Sequence, residues 1–547
     1  MRRLLFTALA CSTLANLPDA ARAQGTPPSL TGSAYRPGVN VLDYDVHLEL
    51  PDSGLFLRGD VTVTARRAPS LATLRLDLID SLTVRSVEVD GRRVTATHSA
   101  NALDVPLSGA KDDTVRIRVV YDGPVHDGLV VRKDAKGRWT WFGDNWPDRT
   151  RQWLPTVDHP SDKATVSWTV RAPTGRTVVG NGVPLGAKPL GGGRTETRWR
   201  ESRPIPPSLM VIAAGPLERV DLHYPACHKG DRGQCVPQMV YVLPENVSFM
   251  PGAFRSAGPI VNLFEDLIGP FPYEKLAHLQ SNTRFGGMEN ASAIFYDGRR
   301  FPSKITDDLI AHETAHQWFG DAVTEREWAH LWLSEGFADY FAALWMWHAH
   351  GDTAFRRVMA ASRAKILADP AVASRPVIDT AQTNYLELLN ANSYDKGAWV
   401  LYMLHQQLGD SAFFHGLRSY YAKYRDSTAL SDDLRRELEQ TSGGRSLQPF
   451  FDQWLRRPGF AEPAIGWAFD AATGRVSLFV QQESARGPYA FPLTVVVTDA
   501  ENVTHRLTVT VPADARATLP LTGRFDRKPK SLSFDPDGLL LARITRL

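Results

Sequence analysis

The stretch "HETAHQWFGDAVTEREWAHLWLSEGFADYFAALW", residues 312–345, decides the reading of this chain. Residues four apart on an α-helix lie about 40° from each other, so His312 and His316 share one face. Their imidazoles in neutral form can hold one zinc ion together. Glu313 stands beside the first of them, near enough to act as general base toward an activated water. Five residues of this pattern also arise by chance, as a helix carrying two satisfied histidines. A third ligand is therefore the test. Eighteen residues after His316 comes Glu335; Ser334 can cap a second helix there, with Glu335 in its first turn. An antiparallel pair of helices would bring that carboxylate to the metal. Two His, one Glu and an open position form a catalytic set, whereas structural zinc is closed by four protein ligands. Asp339, four further on, either supports the site or lies exposed.

Around this centre the pattern divides the chain of 547 residues. From about residue 40 to 215 apolar residues alternate, as in Tyr44, Val46, Leu48 and Val115, Ile117, Val119, the mark of half-buried strands. Near residue 250 the spacing turns helical and stays so to about Arg457. "SDDLRRELEQ" opens there with Ser431 as a helix N-cap. Alternation then returns at Leu493, Val495, Val497 and Leu507, Val509, Val511. The expected fold is multidomain α+β: an N-terminal all-β domain over residues 24–218, a mainly helical zinc catalytic domain over 219–457 and a C-terminal β-sandwich over 458–547.

Residues 1–23 read as a secretory signal peptide. Arg2 and Arg3 form the basic segment, "LLFTALACSTLANL" is too short to span a bilayer, and "ARA" ends at a small-residue cleavage site. Lipidation at Cys11 is the alternative. The expected protein is exported, periplasmic or secreted, with no integral membrane segment after signal removal. The formal net charge is +2; losing Arg2, Arg3, Arg22 and Asp19 brings it to zero, and nothing points to nucleic acid as a partner. Cys227 and Cys235, in "CHKGDRGQC", are expected to form a disulfide across a polar loop, the rival being a second metal site with His223 or His228.

Three motifs together carry a resemblance. "GGMEN" at Gly286–Asn290, the HExxH pattern with its distant glutamate, and "SYDKGAWVL" around Tyr394 together resemble the gluzincin aminopeptidases, the group of aminopeptidase N and leukotriene hydrolase. "WLPTVDHPSDKA" from Trp153 resembles a segment of that family's β-domain. The resemblance implies a thermolysin-like catalytic domain, one zinc per chain, and peptide substrates with a free N-terminus. It implies His312, His316 and Glu335 as ligands, Glu313 as general base and Tyr394 as oxyanion stabiliser. Glu289 would bind the substrate's ammonium group, with Gly286, Gly287, Met288 and Asn290 beside the peptide. The family's second amine anchor falls on Trp146 here, leaving Asp144 or Asn145 as substitutes. Two rival readings follow: a thermolysin-type endopeptidase, against which "GGMEN" argues, and a non-catalytic peptide-binding protein, which would be expected to have lost ligands. Epoxide hydrolysis, the preferred N-terminal residue and the oligomeric state are left open.

Overall fold

The computed structural model describes residues 35–107, 113–224, 235–483 and 486–547. The signal segment and Cys227 lie outside them. Cys235 is described, exposed, just ahead of a buried strand.

The N-terminal domain is built on an eight-stranded sheet in which Val39–Glu49 and Ala164–Pro173 pair in parallel at the centre. Alternate residues point to one core, so Val46, Leu48, Val61, Val63, Ile117 and Val119 are all buried. A register shift between Val41 and Asp43 resets the phase, putting both Val41 and Tyr44 inside. Trp153 and Trp168 stack beneath this sheet with centroids 5.9 Å apart. A smaller four-stranded sheet includes Trp139–Gly143, and the chain leaving that strand runs to the cleft described below.

The middle region opens with a five-stranded sheet that helical periodicity did not announce. Its core strands are Gln238–Val242, β1 (Leu276–Ser281) and β3 (Ala293–Asp297), parallel to one another and buried at every residue. On the outside, β2 (Gly287–Met288) pairs antiparallel with β3 and ends the sheet. Four helices then matter: α1 (Asp307–His316), α2 (Trp332–His350), α3 (Asp352–Ala368) and α4 (Gly397–Tyr424). Asp307 and Asp308 in the first turn of α1 complement its N-terminal dipole. Gly409, at φ 77°, breaks α4 into two segments.

Packing of α2 on α4 depends on two glycines. A Cβ on Gly336 would lie 2.8 Å from the Gly397 carbonyl carbon, and one on Gly397 would lie 2.9 Å from Gly336 Cα. The backbones touch, which brings the residues just before α4 against the first turn of α2. The helix Ser431–Thr441 corrects one expectation. Ser431 Oγ accepts from Trp332 Nε1 at 2.8 Å rather than capping, and Asp433 takes the Leu430 amide at 2.8 Å.

C-terminal residues form a four-stranded and a three-stranded sheet. Val476, Leu478, Val480, Leu493, Val495 and Val497 face inward and are buried, as a two-sheet β domain requires. No helix of the described residues is long and apolar enough to cross a membrane.

Candidate metal centre and its cleft

His312 and His316 project from one face of α1, and their Nε2 atoms lie 3.1 Å apart. Glu335, in the first turn of α2, points its Oε2 at both, 3.4 Å from His312 Nε2 and 3.3 Å from His316 Nε2. That oxygen is buried and has no hydrogen-bond partner. Each ring is fixed from behind. His312 Nδ1 meets Asp339 Oδ1 at 2.9 Å, and His316 Nδ1 meets Ser334 Oγ at 2.9 Å. With Nδ1 donating outward, both Nε2 lone pairs face the Glu335 oxygen. Three converging lone-pair donors with an orphaned carboxylate oxygen among them fit a zinc ion, and the outer partners are those that orient metal-binding imidazoles.

Electrostatics agree with the geometry. Burial disfavours a charged imidazole, yet Asp339 and Glu335 hold the His312 pKa well above its usual value. At His316 burial again opposes, while Glu289 and Glu335 raise the pKa to about 9. Burial likewise opposes ionisation of Glu335, but the two imidazoles hold it well below the carboxylate range. The acids therefore demand positive charge at this one point.

Ser334, expected as a helix cap, is already inside α2 and supports His316 instead. Tyr394 precedes α4 in a π-helical turn, Asn392–Lys396. The Gly336–Gly397 contact sets its hydroxyl to donate to Glu335 Oε1 at 2.8 Å. Its ring lies nearly parallel to His312, centroids 6.2 Å apart.

Glu313 faces β2. A Cβ on Gly287 would fall 1.8 Å from Glu313 Oε1, so only glycine admits this carboxylate to the strand. Burial pushes Glu313 up to about 7, against the pull of His312 and His316. Ligand-bearing atoms of Glu289, Glu313 and His316 also lie within 4.8 Å of one another. Gln317, which sequence reasoning passed over, anchors this arrangement. Its Nε2 donates to the Glu289 carbonyl at 2.8 Å, and its Oε1 accepts the Ser292 amide at 2.8 Å.

These groups line one cleft of about 950 Å³. Gly286, Gly287, Met288 and Glu289 line it, as do His312, His316, Glu313, Glu335 and Tyr394. Asn290 does not: it is fully buried, with both side-chain amide atoms unpartnered. Asp144 stays out as well, correcting its place as an amine anchor. It is fully buried and paired with Arg149 Nη2 at 3.0 Å and Arg284 Nε at 3.1 Å. Asn145 is spent on the carbonyls of Pro207 and Met210 and on Trp153 Nε1. Trp146 is the member of that segment that lines the cleft, edge-on to Phe285 and Trp328.

The Peptidase M1 N-terminal domain model matches residues 42–209, and the Peptidase family M1 domain model matches residues 253–454. Aminopeptidase N of Streptomyces lividans is 31% identical over 455 residues, 77% of this chain and 50% of that protein. An M1 zinc metallopeptidase structure from Deinococcus radiodurans superposes with TM-score 0.66 at 28% identity, covering 76% of this chain and 93% of that one. Legionella pneumophila aminopeptidase A, solved with aspartic acid, gives TM-score 0.80 at 17% identity over 93% of this chain and 60% of its own, a likeness of fold. The chain spans about half the length of the curated relatives it matches.

Proposed function

Because the chain belongs to peptidase family M1, we propose that it is an exported zinc-dependent aminopeptidase releasing N-terminal residues from peptides. One observation carries the reading: two Nε2 atoms and an unpartnered glutamate oxygen converge in the cleft that also holds Glu289 and Glu313.

His312, His316 and Glu335 would hold the zinc. When bound, the ion supplies Lewis acidity, acidifying water and polarising a carbonyl. The chain's own residues do the rest. Glu289 holds the substrate's ammonium, and the edge strand β2 offers unpaired backbone groups to an extended peptide. Glu313 takes a proton from the attacking water as its oxygen bonds to the scissile carbonyl carbon. The same carboxyl then gives that proton to the leaving nitrogen as the C–N bond breaks. Tyr394, released from Glu335 Oε1, donates its hydroxyl to the oxyanion. Glu289 inside the cleft favours this reading over an endopeptidase, since an internal peptide bond carries no ammonium to pair with it. The presence of every ligand, Glu313 and Tyr394 favours it over a non-catalytic binder.

The direct test is a panel of aminoacyl fluorogenic amides and their N-acetylated forms, assayed before and after metal removal. Free-amine substrates should be cut, acetylated ones barely, and chelation should stop turnover until zinc is restored. Efficient cutting of acetylated peptides would overturn the exopeptidase reading, and full activity in zinc-free protein would overturn the whole of it. Export rests on residues 1–23 and is checked by N-terminal sequencing of protein from the secreted or periplasmic fraction. A Cys227–Cys235 disulfide is part of the same proposal, checked by thiol titration.

A further inference from the structure

Resting on the aminopeptidase reading, we propose that Arg300 is a specificity-determining residue that binds a carboxylate carried one or two residues beyond the scissile bond. The cleft is rich in acids, and Lys365 and Arg300 are its long cationic side chains. Lys365 is engaged, 3.3 Å from Asp395 Oδ1. Asp297, the acid nearest in the chain, pairs with Arg299 at 2.6 Å and feels the Arg300 charge only as a weaker, more distant influence. Among the described residues Arg300 has no carboxylate at pairing distance, although it lines the same cavity.

Its position relative to β2 gives the direction. A Cβ on Gly286 would fall 2.5 Å from Arg300 Nη2, so glycine lets the guanidinium lie against the start of this edge strand. Gly287, next along, faces Glu313, and Glu289 lies beyond it. A peptide with its ammonium at Glu289 and its scissile bond before Glu313 therefore continues past Gly286 toward Arg300. From Glu289 to Gly286 the strand covers roughly 10 Å at about 3.3 Å per residue, the reach of a di- or tripeptide. A planar guanidinium fork matches a carboxylate. That carboxylate is either the C-terminus of a short peptide or an acidic side chain just after the cut.

Leu-Gly and Leu-Gly-Gly are compared with their C-terminal amides, and Leu-Asp-amide with Leu-Gly-amide. All rates are taken relative to leucyl p-nitroanilide, which has no carboxylate. The free acids are expected to lead in kcat/KM by about tenfold or more, as a charge-assisted hydrogen bond supports. Arg300→Gln should erase that lead and Arg300→Lys should restore part of it. A gain seen only for Leu-Asp-amide identifies the acidic side chain as the source. Equal rates across all pairs, or a lead that survives Arg300→Gln, overturns the proposal. If no free-amine substrate of the aminoacyl panel is cut, the aminopeptidase reading fails by itself. Calorimetric binding of Leu-Gly and Leu-Gly-amide to the Glu313→Gln protein then decides on Arg300, equal affinities counting against it.

Discussion

Two groups of acids among the described residues differ in their company. In the N-terminal domain Asp144 is fully enclosed, yet Arg149 and Arg284 stand at 3.0 and 3.1 Å, and Asp127 shares both arginines. In the cleft Glu289, Glu313 and Glu335 crowd around two histidines, with one Glu335 oxygen left unpartnered. The first group closes its own charge balance and is bound into the interior. The second concentrates negative charge that the chain does not neutralise, at the wall of an open cleft. Burying charge is tolerable when it is paired, so an unmatched cluster marks the place where a cation and an ammonium are bound.

Glu313→Gln gives the largest expected break in that comparison. It keeps the volume behind Gly287 and leaves the ligands in place, so fold and zinc content should persist. Turnover should fall roughly 10²–10⁴-fold, the usual loss with a general base. A variant that binds zinc and keeps near wild-type rate would remove Glu313 from the chemistry.

Zinc titration follows. Metal-free protein should gain about 4 kcal/mol of stability at a thousandfold excess of zinc over its Kd. Glu335→Ala should lose most of that gain, read as the shift in denaturation midpoint. Equal gains in both proteins would mean the ion sits elsewhere. Tyr394→Phe comes next: kcat should drop on the order of 10²–10³-fold with KM little changed, because its donor acts mainly in the transition state. A raised KM at constant kcat would make Tyr394 a binding residue.

What could be read in advance follows the same division. His312, His316 and Glu335 sit on two consecutive helices, where spacing fixes direction, and Asp339 follows from the same periodicity. Half-buried strands such as Val39–Glu49 announce themselves by alternation. Gln238–Val242 and β3 do not, because both faces are covered and no period survives. The amine end was illegible for another reason. Asp144, Asn145 and Trp146 are consecutive on a turning chain, and only three-dimensional packing decides which one faces the cleft. Arginines at 149 and 284 settle it, and one of them is distant in sequence. Arg300 is silent in the same way, since its meaning lies in what it does not pair with.

The smallest expected effect is also the sharpest test of the comparison. Asp144→Asn preserves shape but takes a negative charge from between two arginines. Breaking a buried pair typically costs roughly 3–5 kcal/mol. Asp127 still serves both arginines and Arg284 is partly exposed, so the lower end, about 3 kcal/mol, is expected in chemical denaturation. Preference for free-amine over N-acetylated substrates should not change. Glu289→Gln should do the reverse. The metal-free protein should be as stable as wild type or more so, because removing a charge from a crowded acid cluster relieves repulsion. Its preference for free amines should shrink by about tenfold or more, as the ammonium loses its charged partner. If Asp144→Asn instead impairs free-amine substrates selectively and leaves stability intact, the two acid groups belong to one site and the division drawn between them fails.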